Sequence, residues 1–76
     1  MIFLIDYDRR FGQIRLFQRF ADNERERAER LRLELELQSK DIAETEVVLL
    51  EADDEETVRK THARYFNTAV ELLRTP

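Results

Sequence analysis

Asp6 and Asp8 flank Tyr7 where an apolar run ends. Carboxylates on alternate residues of a strand share a face, as the paired ligands of magnesium do in phosphoryl-transfer sites. A metal there needs further oxygen ligands, and an antiparallel third strand would bring Glu46 near Asp6. His62 is the single histidine and the side chain that titrates near neutrality when unperturbed, so a general-base reaction has to use it or a shifted carboxylate. An enzyme or metal-binding domain built on Asp6, Asp8 and His62 is therefore one reading. Plainer uses compete with it. Aspartates beside Arg9, Arg10 and Gly12 suit a chain reversal, and His62 falls on the apolar stripe of a helix. Ser39, the sole serine, sits in a polar connection, and nothing in the sequence pairs it with His62. On these grounds no residue is assigned a catalytic, metal or cofactor role, and the balance leans away from an enzyme.

Arg15, Phe17 and Arg19 alternate along one segment and interleave charge with an aromatic ring, as single-stranded RNA platforms do. A weak RNA binder using these three residues is a further alternative. Nucleic acid is opposed by a net charge of −4 and by the charge distribution: +2 over residues 1–20, −9 over 21–56 and +3 over 57–76. The acidic run Asp53-Asp54-Glu55-Glu56 lacks the spaced oxygens of a calcium loop and reads as the start of a helix, where carboxylates meet the positive end of the backbone dipole. Lys60 and Arg64 are free to meet an acidic surface, and the acidic central segment of a second copy is the simplest candidate.

The elements that position these residues begin with two short stretches, Ile2-Phe3-Leu4-Ile5 and Val47-Val48-Leu49-Leu50, apolar at every position in a chain that is 39% charged. Such runs predict strands hidden on both faces. The segment from Asp6 to Gly12 predicts a hairpin turn, and Gln13 to Phe20 alternates as a half-exposed edge strand should. Asp22 or Asn23 then caps a helix to about Gln38, with Ala21, Ala28, Leu31, Leu35 and Ile42 on one stripe. Leu31 to Leu37 alternates like a strand, but leucine, glutamate and arginine are strong helix formers, and residues between Asn23 and Ser39 include no β-branched or turn residue. Helix is the reading adopted. Ser39 to Thr45 is a polar connection, Glu46 to Ala52 a strand, and Asp53 or Asp54 caps a second helix. That helix carries Val58, His62, Tyr65, Ala69 and Leu72 on its stripe, with Phe66 and Leu73 on the flank. Asn67-Thr68 is a place for the helix to break, making 67–76 a looser tail.

The sequence thus predicts a single α+β domain over residues 1–76. It is a small β-hairpin–helix–strand–helix (ββαβα) unit, a three-stranded sheet with the first strand central and two helices mainly on one face. The other face keeps half of each apolar strand. A patch of that size marks association, so the expectation is a homodimer and a possible protein partner, with Phe3, Ile5, Phe17, Leu33, Leu37, Val48 and Leu50 as the interface. A C-terminal helix tilted across the second face is the competing arrangement. The size sharpens the need for cover, since a domain of this length buries only about 60% of its unfolded surface. Cysteine is absent, so disulfides and thiolate metal sites cannot help. Charges at Asp6, Asp8, Arg9 and Arg10 interrupt any secretion-signal core, and no apolar run approaches the roughly 20 residues that cross a bilayer. The cytoplasm, with no membrane association, is the expected location. The function these features favour is a small interaction module that self-associates through its sheet and binds another protein.

Overall fold

The computed structural model describes residues 1–40 and 44–66. The fold is α+β: β1 (Ile2–Asp8), β2 (Gln13–Phe20), a single 3-10 turn at Asp22–Glu24, α1 (Arg25–Gln38), β3 (Thr45–Glu51), α2 (Glu55–Thr61) and α3 (Ala63–Phe66). The strands form one sheet in the order β2-β1-β3, with β1 antiparallel to both neighbours. This is the expected hairpin–helix–strand–helix connectivity with the first strand central.

The hairpin forms because Asp8 organises its turn. Its Oδ1 accepts the Arg10 N–H at 2.9 Å and the Phe11 N–H at 3.3 Å, and Gly12 supplies the left-handed φ of 64° that the reversal requires. Residues 31–37 are helical, so propensity prevails over the alternating pattern, and Ser39 closes α1 by donating to the Leu35 carbonyl at 2.7 Å. Neither Asp22 nor Asn23 caps α1 as expected. The 3-10 turn comes first and is held by Glu24, whose carboxylate accepts the Ala21 N–H at 2.9 Å. At α2 the cap is Asp54, which accepts the Thr57 N–H at 2.8 Å. That bond to the ionised form holds the Asp54 carboxyl below its ordinary 3.8.

The two helical segments lie on opposite faces of the sheet, which corrects the expectation of both mainly on one. Ala28, Leu31 and Leu35 of α1 pack on Ile2, Leu4, Leu16, Phe20, Val47 and Leu49. Tyr65 and Phe66 of α3 pack on the reverse side, on Ile5, Tyr7, Ile14, Phe17, Val48 and Leu50. A βαβ crossover constrains α1, but no later strand constrains the C-terminal segment, so it goes where aromatic rings have apolar surface to cover. The predicted second helix also breaks. At His62 the backbone leaves helical geometry (φ −124°, ψ 44°) after its N–H has bonded the Val58 carbonyl at 2.9 Å, and α3 starts afresh. Ala69, Leu72, Leu73, the Asn67-Thr68 break and Ile42 lie outside the described residues.

The central strand is accordingly buried on both sides: Ile2, Phe3, Leu4 and Ile5 are each 1% exposed or less. Full burial of a large apolar side chain is worth about 1.5–3 kcal/mol, so these four residues make β1 a main source of stability in so small a chain. Among the described residues no helix is long and apolar enough to cross a membrane.

Candidate interaction surface

The residues with candidate chemistry are kept apart by the sheet. Asp6 and Asp8 alternate with Tyr7 and so share the α1 side of β1, whereas His62 lies across the sheet, its ring 6.3 Å from that of Tyr65. Asp8 is committed to the hairpin turn. Asp6 accepts Arg15 Nη2 at 3.1 Å, and the same guanidinium nitrogen reaches Thr45 Oγ1 on the third strand. Ser39 serves its own helix end, far in sequence from His62 and without a bond to it among those the structure shows. Among the described residues no three carboxylate or imidazole groups gather to hold a metal.

The expected Arg15–Phe17–Arg19 platform is broken by a bulge. Asp6 pairs with Leu16 and Tyr7 with Ile14, leaving Arg15 as the extra residue. Its side chain consequently reaches Asp6 and Thr45 on the α1 side. Phe17 remains on the other side, stacked on Phe3 at 5.6 Å and met edge-on by Phe66 at 5.4 Å. A ring held in that stack is not available to a base. No signal in the sequence marks the bulge.

Lys60 and Arg64, expected to meet acidic groups of a second copy, find them in their own chain. Lys60 pairs with Glu56 at 3.1 Å, one turn back on α2, and Arg64 with Glu46 at 2.9 Å. Tyr65 donates its hydroxyl to the same Glu46 oxygen at 3.0 Å and accepts from Arg64 Nη2 at 2.6 Å. Burial, and then the Glu46 carboxylate, push the Tyr65 phenol above its usual 10.0.

The residues expected at an interface fall into three groups. Phe3 and Ile5 are fully buried beneath the aromatic cover of the second face. Phe17, Val48 and Leu50 are half-buried. Leu33 and Leu37 are exposed, at 52% and 61%, on the side of α1 turned from the sheet.

The two edges of the sheet are defended unequally, a feature that alternation in the sequence did not bring out. β2 has the bulge, Arg15 and Arg19, devices that discourage pairing with a further strand. β3 keeps one unbroken register with β1 over all seven residues, contains no proline, lysine or arginine, and holds Val47, Val48, Leu49 and Leu50 half-buried. Its two carboxylates are neutralised within the chain, Glu46 by Arg64 and Glu51 by Arg25. Among the described residues no strand pairs with its outer side.

The hydrogen-bond phase of that outer side is fixed by both ends of the ladder. The Arg9 N–H donates to the Glu44 carbonyl at 2.8 Å, and the Ala52 N–H donates to the Met1 carbonyl at 3.1 Å. In an antiparallel pair bonded and non-bonded residue pairs alternate, so counting inward from either end makes Phe3–Leu50, Ile5–Val48 and Tyr7–Glu46 the bonded pairs. The backbone N–H and C=O groups of Thr45, Val47, Leu49 and Glu51 therefore point away from β1, into the open edge.

Comparison of the chain with family models, with curated proteins and with solved structures gives no match.

Proposed function

We propose that the protein is a small interaction module that self-associates through its sheet and holds another protein. The supporting observation is the outer edge of β3, apolar, in unbroken register with β1 and paired with no strand among the described residues, beside a β2 edge that is guarded. With the faces of β1 covered inside one chain, that edge replaces the sheet face as the surface for self-association. A strand offering outward backbone groups together with incompletely buried valine and leucine gains both hydrogen bonds and apolar burial when another strand is added. The lack of cysteine is in keeping with work in a reducing compartment such as the cytoplasm.

The capture of another protein draws on Leu33 and Leu37, an i, i+4 pair of apolar side chains left exposed on α1. Size-exclusion chromatography with light scattering at two concentrations tests the self-association. A mass that rises toward twice the chain mass with concentration is expected, and a strictly monomeric mass refutes the reading.

A further inference from the structure

We infer that the occupant of the β3 edge is the β3 strand of a second copy, antiparallel and centred on Val48, joining two sheets into one of six strands. This rests on the self-association proposed above and specifies its geometry. Since Thr45, Val47, Leu49 and Glu51 carry the outward backbone groups, a partner strand bonds only by setting its own outward residues opposite them. Self-pairing therefore places odd-numbered residues against odd-numbered residues. The register that would set Glu46 against the partner's Glu51 is excluded by that rule, and with it the like-charge contact.

Of the registers that remain, one uses the whole strand. With Val48 opposite the partner's Val48, Val47 bonds the partner's Leu49, and Thr45 bonds the partner's Glu51, so all four outward residues of each copy are paired. Centring on Val47 or Leu49 instead pushes one outward residue of each copy past the end of the other strand. In the Val48 register Glu46 stands opposite the partner's Leu50, and no two charges of like sign are opposed.

Side-chain faces agree with this arrangement. Val47 and Leu49 belong to the α1 side and Val48 and Leu50 to the α3 side. A twofold axis normal to the sheet through Val48 keeps each side in register with itself, so apolar groups meet apolar groups across the joint. A parallel addition would set each outward residue opposite an inward-bonded one, odd against even, so no twofold axis could relate the two copies and their contacts would be inequivalent.

Two measurements test the register. In the unmodified chain, amide hydrogen exchange followed by NMR should show Val47 and Leu49 becoming protected as concentration rises, while Val48 and Leu50, bonded to β1, are protected throughout. The chain has no cysteine, so single-cysteine variants report cleanly. Val48 faces its own symmetry mate as a non-bonded pair with Cα atoms about 4.5 Å apart, within disulfide reach, so Val48→Cys should oxidise to a covalent dimer about tenfold faster than Val47→Cys or Leu49→Cys.

A dimer mass with fastest cross-linking at position 47 or 49, or with Val47 and Leu49 amides unprotected, overturns the register and leaves self-association standing. A monomeric mass at every concentration overturns both. Protection of Val47 and Leu49 in a strictly monomeric sample would mean that residues of the same chain occupy the edge, which also defeats the inference.

Discussion

Tyr65 stands edge-on to Tyr7, their ring centroids 5.1 Å apart and their planes at 84°. The contact ties the last described helix to the central strand, with the Tyr7 hydroxyl also reaching the Arg64 carbonyl at 3.4 Å. Phe66 repeats the geometry on Phe17, at 5.4 Å and 80°. Two adjacent residues of a one-turn helix thus cover the face that carries Phe3, Ile5 and Tyr7. A four-residue helix has no stability of its own, so packing and not propensity holds it there.

Removing the first of those rings should uncover the face. Tyr65→Ala loses the edge-on contact and most of the buried ring, a cost of about 3–5 kcal/mol by analogy with other aromatic truncations. Urea unfolding should show the loss, and a hydrophobic dye should bind the variant under native conditions. A loss below about 1 kcal/mol without dye binding would show that α3 is not what shelters this face.

Leu33 and Leu37 provide the opposite case, leucines whose removal the fold should not notice. Replacing both with glutamate alters exposed positions of α1, where glutamate and leucine have similar helix propensity, so stability should change by less than about 1 kcal/mol. Leu35→Glu, on the packed side of the same helix, should unfold the domain. Thermal melts of the three chains separate the outcomes: equal damage from the outer pair would place those leucines in the core and end their use as anchors.

How far the sequence carried depends on whether a feature has a local cause. β1 was legible because burial on both faces leaves an unbroken apolar run, and Ile2 to Ile5 are indeed all buried. Helix over residues 31–37 was legible through propensity, against the alternation of its leucines. The side of the sheet taken by α2 and α3 was not legible, since Val58, His62 and Tyr65 pattern identically whichever face they cover. The break at His62 and the bulge at Arg15 are single-residue events in backbone geometry, decided by what Tyr65 and Asp6 reach in space. The unguarded edge lay between these limits. Its apolar run is plain in the sequence, but its outward backbone phase is set by two hydrogen bonds at the ends of a ladder.

That phase gives neighbouring prolines different consequences. Val47→Pro removes an N–H that points into the open edge, so the intrachain ladder survives and the product should be a folded monomer. Val48→Pro removes an N–H bonded to β1 and should cost roughly 1–3 kcal/mol more, in addition to the ring's clash with its partner strand. Circular dichroism measures the fold and light scattering the mass. Equal destabilisation by the two substitutions would show the phase assigned to β3 to be wrong.

The Tyr65 hydroxyl has a consequence at high pH that its ring does not. Burial first, and then the bond to Glu46, raise the phenol's pKa in the folded chain above the ordinary 10.0, while Arg64 opposes the shift. Folded protein then holds the phenolic proton more tightly than unfolded protein does. Below about pH 10 both states keep the proton and the contribution is complete; as pH climbs from there through the folded value, the unfolded chain ionises first and stability falls. Tyr65→Phe keeps the edge-on ring but drops the hydroxyl, leaving Glu46 to Arg64 alone, at a cost of about 1–2 kcal/mol near neutrality. Its melting temperature should therefore start lower yet fall less steeply between about pH 9 and 11 than that of the parent chain. Parallel melting curves across that range would show the hydroxyl to be indifferent to folding, and the Glu46–Arg64–Tyr65 cluster to contribute only through its ion pair.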